Sequence, residues 1–569
     1  MSKTPSVENA TDWLVVGAGV GGLAAALCGA LHGMDVMLCE KSSQVGGTAA
    51  TSAGTLWIPG NRQNPRAGFD ADSVDAARHY LDGLIEDPKS GQATREAFLM
   101  NGADAIDWYE TKAGLRFIPC GVYPDYLDAP GAAAVGRALI PAPFDGRKLG
   151  KHFERIRPPI AEFMIFGGMM VGKADIAPLV GRFNSWANLR YTTLLFARYL
   201  VDRLRYSRGT RLMLGNALIA QLYSRLLAAG VPARFNIELR SLLTDGPRVV
   251  GAVLAGPGGP YTVRARRGVV LATGGLGHHS GLRQRFMGAD WPDSMAVPEN
   301  TGQGIEAGLS IGALSLPERH GTGAFWTPVS RTGSGQWAGR YPHLAMDRAK
   351  PGLIAVNRQG RRFVNEAASY HHFALAMLEQ GDQSATDPAW LICNHAFIRR
   401  YGLGAIHPGT THLQPYVERG WIHCAGSLRE LAGQLEIDAA GLSDTATRLA
   451  AFAANGIDED FGKGSTRLNR YNGDPTHQPN PCLGPLGDGP YCAMPVWPAE
   501  LGTSTGLETD PAARVLNTDG QVISGLYACG NDQGSIMRGT YPGPGTTLGP
   551  ALVFAWLAAR DAAGWSPGE

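Results

Sequence analysis

Residues 13–22, Trp-Leu-Val-Val-Gly-Ala-Gly-Val-Gly-Gly, take the chain from an apolar stretch typical of a buried strand into a glycine-rich turn. A helix is predicted from Leu23 to His32, and a second strand, Val36 to Cys39, ends in Glu40. The glycines of the motif are Gly17, Gly19 and Gly22. Such glycines allow a tight turn and bring a pyrophosphate to a helix N-terminus, while the acid binds ribose hydroxyls. The segment therefore predicts a Rossmann-like unit that binds a dinucleotide.

A run of small residues at 46–54, Gly-Gly-Thr-Ala-Ala-Thr-Ser-Ala-Gly, follows the acid. Small residues let the backbone lie against a flat ring system and donate amide hydrogen bonds to it. The run resembles the Gly-Gly-Thr-Ser-type stretch of the flavoprotein superfamily that contains fumarate reductases and 3-ketosteroid dehydrogenases, where it lies along FAD. The resemblance implies FAD as the cofactor, with contacts from Lys41, Gly47, Thr48, Ser52 and Gly54.

Two further stretches carry the same resemblance. Residues 268–275, Gly-Val-Val-Leu-Ala-Thr-Gly-Gly, predict a strand that returns to the cofactor, and residues 526–532 predict a strand that ends in a polar turn. The glycine-rich run 543–550 then leads into an apolar helix, Ala551 to Ala559, whose N-terminus is expected to reach the flavin. The cofactor contacts implied here are Thr273, Gly274, Gly530, Asn531, Thr547 and Leu548.

The expected fold class is α/β, with a Rossmann-like FAD-binding domain that is discontinuous in sequence and an inserted α+β substrate or cap domain. The first part of the FAD-binding domain spans 1–279 and includes a helical insertion at about 141–213. Its second part spans 485–569. The cap domain lies between them, at 280–484.

The composition excludes several classes of protein. Of the 569 residues, 44% are hydrophobic and 18% charged, which suits large folded cores rather than a disordered chain. A net charge of +1 gives no long-range field for nucleic acid. Eight cysteines without a C-x-x-C pair favour reduced thiols in a cytosolic protein over a disulfide framework or a zinc site. The histidine pairs 278–279 and 371–372 lack metal-ligand spacing, so no metal is expected.

Membrane insertion is not expected. The first dozen residues are polar and show no signal peptide, and the most apolar stretch, Phe163 to Gly172, is too short to span a bilayer. The expected location is therefore cytoplasmic. Leu194 to Tyr206 mixes Leu, Phe and Tyr with three arginines at helical spacing. This pattern leaves peripheral membrane contact open, beside packing on the protein itself or at a subunit contact.

Three tyrosine motifs resemble those of one branch of the superfamily. Tyr541-Pro-Gly-Pro-Gly545 resembles the Tyr-x-Gly-Pro-Gly of 3-ketosteroid Δ1-dehydrogenases, which implies that the Tyr541 hydroxyl and the Gly545 amide hold the 3-keto oxygen in an oxyanion hole. Tyr370 follows a strand-turn-strand that the superfamily shares. Tyr123-Pro-Asp-Tyr126 resembles the family's Tyr-x-Asp-Tyr stretch, and either of its tyrosines is a candidate assistant to Tyr370.

The resemblance implies trans elimination of two hydrogens from an apolar cyclic ketone. Tyr541 and Gly545 polarise the ketone, Tyr370 as tyrosinate removes a proton with help from Tyr126, and the neighbouring carbon passes hydride to flavin N5. A tyrosine base requires donors that lower its pKa from about 10. An unidentified electron acceptor is a further partner. The alternatives left open are Δ4-dehydrogenation of a 3-ketosteroid, a cyclohexanone-type dehydrogenase, and a non-catalytic binding protein of the same fold.

Overall fold

The computed structural model describes residues 7–161, 164–288, 293–316, 323–333, 339–344, 347–380 and 388–565. Its first sheet has the strand order β10-β2-β1-β13-β12-β11, with β21 beside β13 and β20 beside β21. These strands are β1 (Val7–Val16), β2 (Val36–Glu40), β10 (Ala233–Phe235), β11 (Glu238–Asp245), β12 (Arg248–Gly256), β13 (Gly259–Leu271), β20 (Arg514–Leu516) and β21 (Val522–Ala528).

The centre of this sheet is parallel and covered on both faces. β1 pairs in parallel with β2 and β13, and β13 pairs in parallel with β21, so the carboxyl ends of four strands meet at one edge. Trp13 and Val15 pack against helices on one face, while Leu14 and Val16 belong to the core on the other. Every residue of the predicted strand is thus buried, which is why it shows no polar alternation. The α/β class is confirmed, and such edges are where ligands bind in α/β folds.

Helices on one face place their N-termini at that edge. α1 (Val20–Leu31) follows the glycine turn and packs against α7 (Leu214–Ala228) and α16 (Leu548–Ala563). The other elements before β10 are α2 (Gln63–Arg66), α3 (Val74–Leu84), α4 (Gln92–Thr111), α5 (Lys173–Val180), α6 (Trp186–Arg203), β3 (Leu56–Trp57), β4 (Phe117–Pro119), β5 (Ala138–Pro141), β6 (Phe144–Asp145), β7 (Met164–Ile165), β8 (Met169–Met170) and β9 (Arg211–Leu212). The predicted insertion at 141–213 therefore holds two α-helices together with short strands.

A second, antiparallel sheet has the order β15-β14-β19-β17-β16, with β18 also on β19. Its strands are β14 (Ala324–Arg331), β15 (Arg340–Pro342), β16 (Ile354–Val356), β17 (Ala389–Asn394), β18 (His423–Ala425) and β19 (Tyr491–Thr503). The helices of this region are α8 (Ser280–Met287), α9 (Gln303–Leu309), α10 (Tyr370–Leu378), α11 (His395–Tyr401), α12 (Gln414–Glu418), α13 (Leu428–Leu435), α14 (Ala439–Asn455) and α15 (Arg467–Asn472).

The sheets divide the chain differently from the predicted boundaries at two places. β19 follows residue 485 but belongs to the second sheet, because β17 pairs with its first half and β14 with its second half. α8 and α9 follow residue 279, yet Leu282 and Ile305 pack in the core of the first sheet. The division into an FAD-binding domain and a cap domain remains a prediction. These contacts group β19 with the second sheet and α8 and α9 with the first sheet, so the boundaries differ from residues 279 and 485.

The prediction of reduced thiols is wrong for one pair of cysteines. Cys424 on β18 lies directly opposite Cys492 on β19, and the two form a disulfide. Their Cα atoms are 4.2 Å apart although 68 residues separate them in sequence. Spacing along the chain could not reveal this pair, because antiparallel pairing of distant strands creates the contact.

None of the helices in the described ranges is both long and apolar enough to cross a membrane. The start of the apolar stretch predicted at Phe163 to Gly172 lies outside the described residues. Its later part forms β7 and β8, which pair as a short antiparallel ribbon.

Candidate active site

One large cavity lies between the carboxyl edge of the first sheet and the second sheet. The ends of β1, β2, β13 and β21 contribute Val16, Glu40, Ala272 and Cys529 to its wall, and β14 contributes Phe325. Every predicted cofactor or catalytic residue except Gly22 lines this cavity. Residues from widely separated parts of the sequence therefore meet at the edge where an α/β fold binds its ligand.

The three motif glycines have different physical roles. Gly17 has a φ of +102°, and a Cβ there would lie 2.2 Å from the carbonyl oxygen of Ala272. A Cβ on Gly22 would lie 1.8 Å from the carbonyl oxygen of Gly17, so Gly22 lets α1 pack on the turn. A Cβ on Gly19 would meet nothing within 4 Å. Gly17 and Gly22 thus hold the turn together, while Gly19 faces open space.

Glu40 and Lys41 already have protein partners. The Glu40 carboxylate accepts hydrogen bonds from the backbone N–H of Ala18 at 2.7 Å and of Ser42 at 2.8 Å. Burial raises the pKa of Glu40, and these two amides lower it. Lys41 Nζ donates to Thr301 Oγ1 at 2.8 Å. Glu40 therefore secures the glycine turn, and its predicted hydrogen bonds to ribose would use its remaining acceptor capacity.

The small-residue run forms a 3₁₀ helix over Gly47–Thr51. Thr48 Oγ1 accepts hydrogen bonds from the Val297 backbone N–H at 3.1 Å and from Asn300 Nδ2 at 3.3 Å. Ser52 Oγ donates to the Ala49 carbonyl at 2.8 Å and accepts from the Gly54 N–H at 3.0 Å. These hydroxyls hold the shape of the run, so its backbone forms the cavity wall.

Asp532 was not predicted, yet it connects two of the predicted cofactor stretches. It is fully buried, and its carboxylate accepts hydrogen bonds from the Thr273 hydroxyl at 2.8 Å and the Gly275 N–H at 2.9 Å. Burial raises the pKa of Asp532, whereas the hydrogen bonds lower it. Asp532 thereby joins the turn after β13 to the turn after β21. The only sequence feature that could have indicated this role of Asp532 is its position in the polar turn Gly-Asn-Asp.

Arg157 and Glu299 also line the cavity and were missed by sequence reasoning. Arg157 Nη2 lies 3.0 Å from Glu299 Oε2, and the arginine side chain is buried. Arg157 lies within the segment that the sequence indicated only as a helical insertion. Nothing local distinguished it from the other arginines of that segment.

Among the described residues, no three His, Cys, Asp or Glu side chains are grouped as a metal site would require.

The cavity fits FAD. The backbone at Gly19, Gly47 and Gly530 borders open space, since a Cβ added at any of them would meet no atom closer than 3.7 Å. Side chains at these positions would project into that space. The N-termini of α1 and α16 both reach the cavity through Val20 and Leu548, where the helix dipole favours negative charge. These glycines and helix ends are the groups that would hold the pyrophosphate and the flavin ring.

Three tyrosines form a cluster at the other side of the cavity. The Tyr126 hydroxyl donates to the Tyr370 hydroxyl at 3.4 Å. Ring centroids of Tyr126 and Tyr541 lie 5.7 Å apart and nearly parallel, and those of Tyr370 and Tyr541 lie 5.3 Å apart. All three side chains are buried. Tyr123 lies beside this cluster, with its ring stacked on Tyr471 at 5.0 Å.

Burial controls the acidity of the cluster. Burial raises the pKa of Tyr370 well above 10, nearby Tyr541 adds to the rise, and the hydrogen bond from Tyr126 lowers it. Burial also raises the pKa of Tyr541 to about 12, and a hydrogen bond with Tyr370 lowers it. Tyr126 therefore acts as the donor that favours the ionised form of Tyr370, as a tyrosine base requires.

Local structure explains how these tyrosines meet. Asp125, inside the predicted Tyr-x-Asp-Tyr motif, forms a buried ion pair with Arg137 at 2.6 Å. The next residue, Tyr126, donates its backbone N–H to the carbonyl of Pro542 at 2.8 Å. Tyr370 is the first residue of α10, capped by Ser369. The Tyr126 and Tyr541 motifs are thus tied together directly by backbone hydrogen bonding.

His371, one of the histidines that lack metal-ligand spacing, links two segments of the site. Its Nδ1 accepts from the Trp326 N–H at 3.2 Å, and its Nε2 lies 3.1 Å from the Gly539 carbonyl, two residues before Tyr541. Burial lowers the pKa of His371 to about 3, so the ring stays neutral near pH 7. One nitrogen accepts and the other donates, which connects β14 to the loop that carries Tyr541.

Gly545 has a φ of +94°, and an added Cβ would lie 2.4 Å from the carbonyl oxygen of Thr55. Its own carbonyl accepts from the Trp57 N–H at 3.2 Å. Within the described part of the chain, the Gly545 N–H donates to no protein acceptor. The Gly545 N–H and the Tyr541 hydroxyl belong to residues that line the same cavity. A backbone N–H and a hydroxyl are the kinds of donor that an oxyanion hole needs.

Comparison with known proteins extends this assignment. The profile of the FAD binding domain family matches residues 12–548. The chain is 35% identical to the 3-oxosteroid 1-dehydrogenase of Mycolicibacterium smegmatis over 97% of both chains. It is 34% identical to the 4-oxocyclohex-2-ene-1-carboxylate 5-dehydrogenase of Sinomonas cyclohexanicum, covering 97% of this chain and 94% of that one.

A solved structure shares the whole fold. The 3-ketosteroid Δ1-dehydrogenase of Sterolibacterium denitrificans, crystallised in complex with 1,4-androstadiene-3,17-dione, matches with a TM-score of 0.88 at 34% identity. The match covers 98% of this chain and all of that chain. The alternative of a non-catalytic binding protein is therefore wrong, and FAD is the cofactor. The chain belongs to the FAD binding domain family and, within it, to the FAD-dependent 3-ketosteroid dehydrogenase family of oxidoreductases.

Proposed function

We propose that this enzyme introduces a C1–C2 double bond into a 3-ketosteroid. The observation that carries the proposal is the cluster of Tyr126, Tyr370 and Tyr541 beside Gly545, on the same cavity as the glycine turn. These groups belong to the motifs by which the chain resembles Δ1-dehydrogenases. The relatives named for this reaction on 3-oxosteroids support the same choice.

The cavity around the tyrosines suits an apolar substrate. Phe325 and Leu468 pack in the same apolar cluster as the three tyrosines, with Leu344 and Leu501 against it, and all four line the cavity. Burying a rigid polycyclic skeleton against such side chains gains free energy in proportion to the apolar area removed from water. The ketone oxygen would then be the one group of the reacting ring that requires polar partners.

Tyr541 and Gly545 supply those partners. A hydroxyl and a backbone N–H directed at the ketone oxygen stabilise the negative charge that develops there and acidify the neighbouring C–H bonds. Because burial keeps the pKa of Tyr541 near 12, this hydroxyl stays protonated and donates at neutral pH. Its role is to hold a proton beside the oxygen rather than to remove one.

Tyr370 is the base. It accepts the proton from the carbon next to the ketone, and Tyr126 stabilises its ionised form by the 3.4 Å hydrogen bond. FAD, when bound, supplies the oxidation by accepting a hydride from the adjacent carbon. The protein's task is to place the two carbons between Tyr370 and the cofactor and to exclude water. An unidentified electron acceptor then reoxidises the enzyme.

A cyclohexanone-type activity is the second candidate, favoured by the 34% identity to the dehydrogenase of a 4-oxocyclohexenecarboxylate. Such a substrate carries a carboxylate. Among the described residues lining the cavity, the cations are Lys41 and Arg157, and each has an acidic neighbour, Glu238 at 3.5 Å and Glu299 at 3.0 Å. A carboxylate near the tyrosines would lack a charge partner, which argues for the neutral steroid.

Anaerobic bleaching of the flavin distinguishes these candidates. The panel contains a 3-ketosteroid saturated at C1–C2, cyclohexanone and 4-oxocyclohexanecarboxylate. The steroid is expected to bleach the flavin at micromolar concentration, with the small ketones slower by at least about 10²-fold in kcat/KM. If only the small ketones bleach it, the steroid proposal fails.

We propose further that any contact of the enzyme with a membrane is peripheral.

A further inference from the structure

The outer surface of α5 and α6 is unusually apolar. Of the 17 large hydrophobic side chains that are exposed among the described residues, ten lie between residues 166 and 204. We call these ten the α5–α6 patch: Phe166, Ile176, Val180, Phe183, Trp186, Tyr191, Leu194, Leu200, Val201 and Leu204. The exposed fractions of Phe183, Trp186 and Leu204 are 79%, 79% and 87%. Concentrations of this kind mark a surface that another body covers.

The helix α6 is apolar on two opposite sides. Its inner side buries Leu195 and Tyr199 against Met169. Its outer side presents Trp186, Leu194 and Val201, and the steps of eight and seven residues between them keep these side chains within a sector of about 80° on a 3.6-residue helix. A surface helix normally keeps its outer side polar. The outer side of α6 is therefore built for an apolar environment.

The charges around the patch have one sign. Arg182, Arg190, Arg203 and Arg205 are exposed. The acidic residues between 164 and 206 are Asp175 and Asp202, and both are buried. Asp175 pairs with Arg211 at 2.8 Å, and Asp202 accepts from the Thr210 N–H at 2.8 Å. The exposed charge of this segment is thus basic, in a chain whose total charge is only +1.

We propose that the α5–α6 patch docks the enzyme on the surface of an anionic phospholipid bilayer. The apolar side chains enter the boundary between headgroups and acyl chains, and the arginines pair with lipid phosphates while their stems lie along the apolar layer. A second copy of the chain fits this surface poorly, because a symmetric contact would bring the arginines of both copies together.

The patch lies close to the substrate cavity along the chain. Ile160 lines the cavity, and Phe166 is the first residue of the patch. Six residues of chain span at most about 20 Å, so the bilayer surface would lie near the cavity wall. This docking holds for whichever ketone is the substrate, and it would place the enzyme at the phase in which an apolar ketone concentrates.

Vesicle flotation with the FAD-loaded enzyme tests the proposal. The vesicles contain phosphatidylcholine either alone or with roughly 30% phosphatidylglycerol, the anionic component that the arginines require. The wild type is expected to float with the anionic vesicles and to stay behind with the neutral ones. The variant Trp186→Ser/Leu204→Ser should bind the anionic vesicles about tenfold more weakly. Arg182→Gln/Arg190→Gln should weaken binding in the same direction, and added salt should do so as well.

The control variant Met100→Ser/Ile457→Ser removes side chains that are 60% and 65% exposed outside the patch, and it should bind like the wild type. Flavin absorbance and thermal unfolding verify that all variants are folded. The proposal is overturned if the wild type binds neither kind of vesicle or binds both equally. It is also overturned if Trp186→Ser/Leu204→Ser binds as the wild type does, or if that variant instead splits a dimer in sedimentation.

Discussion

The two sides of the cavity are built in contrasting ways. The cofactor side consists of backbone from short, continuous stretches: the glycine turn at 17–22, the small-residue run at 46–54 and the turn at 273–275. The tyrosine side consists of side chains, Tyr126, Tyr370 and Tyr541, from three distant segments. One side therefore depends on the absence of side chains, and the other depends on the chemistry of particular side chains. Substitutions on the first side should cost the cofactor, and those on the second should cost rate.

The largest effect is expected at Gly22. The change Gly22→Val places a Cβ 1.8 Å from the carbonyl oxygen of Gly17, so the turn cannot close under α1. We expect the purified protein to retain no FAD and to show no turnover, as measured by flavin absorbance and by steroid oxidation. Gly83→Ala, within α3 and with nothing near an added Cβ, is the control and should keep both. Full FAD content in Gly22→Val would contradict the division between the two sides.

Tyr370→Phe removes the proposed base while leaving the ring in place. Turnover should fall by about 10³-fold or more. FAD content should be unchanged, because the hydroxyl interacts with Tyr126 and Tyr541 rather than with the glycine turn. Steady-state kinetics and the flavin spectrum measure the two quantities. Tyr416→Phe is the matched control, since the Tyr416 ring packs on Trp421 away from the residues that line the cavity and should tolerate loss of its hydroxyl. A Tyr370→Phe enzyme as active as the control would remove Tyr370 from the mechanism.

Gly545→Ala should act at the border between the two sides. Its Cβ would lie 2.4 Å from the Thr55 carbonyl at a φ of +94°, which displaces the amide from the oxyanion hole. We expect kcat/KM to fall by about 10²-fold. Gly564→Ala has a similar φ of +75° with open space around it, so it carries the backbone strain without the effect on the site. Equal losses in both variants would show that strain alone accounts for the change.

The pH profile reports the acidity of the cluster. Because burial raises the pKa of Tyr370, little tyrosinate exists at neutral pH, and kcat/KM should rise with pH through the alkaline range. Tyr126→Phe removes the donor that lowers this pKa, so its profile should shift to higher pH, with about tenfold lower activity at pH 7. A profile that falls with rising pH, or one that Tyr126→Phe leaves in place, would exclude the assisting role of Tyr126.

The smallest effect is expected at His371. His371→Ala removes the link between β14 and the Gly539 carbonyl and should lower kcat by about tenfold at most, through displacement of Tyr541. Since burial holds the pKa of His371 near 3, this loss should be the same from pH 6 to pH 9. A loss that grows or vanishes across that range would indicate that His371 itself titrates in the reaction.

The sequence predicted the cofactor side better than the rest of the molecule. Gly17, Gly19 and Gly22 act within one turn, so their spacing alone carries the physical constraint. Asp532 and Arg157 could not be found in this way, because each acts on a segment far from it in sequence. The same is true of the Cys424–Cys492 pair, whose contact depends on strand pairing.

The tyrosine side was predictable only as a set of motifs. Nothing in the spacing of Tyr126, Tyr370 and Tyr541 indicates that their side chains touch, and their grouping followed from family resemblance. The structure adds the Pro542 carbonyl and His371 as the groups that bring the motifs together. The Pro542 carbonyl is a backbone group, and the His371 ring binds backbone groups of Trp326 and Gly539. Because every residue type has a backbone carbonyl, the sequence does not indicate such contacts.

Deuterium labels at C1 and C2 show which two hydrogens the enzyme removes from a 3-ketosteroid. A 3-ketosteroid is fully deuterated at C1 in one sample and at C2 in another, and the rate of anaerobic flavin reduction and the product are analysed for each. We expect a C1–C2 double bond in the product, with one deuterium lost from C2 as a proton to Tyr370 and one lost from C1 as hydride, so that the C1 label slows flavin reduction by a primary isotope effect. A double bond at C4–C5, or retention of both labels, would contradict it.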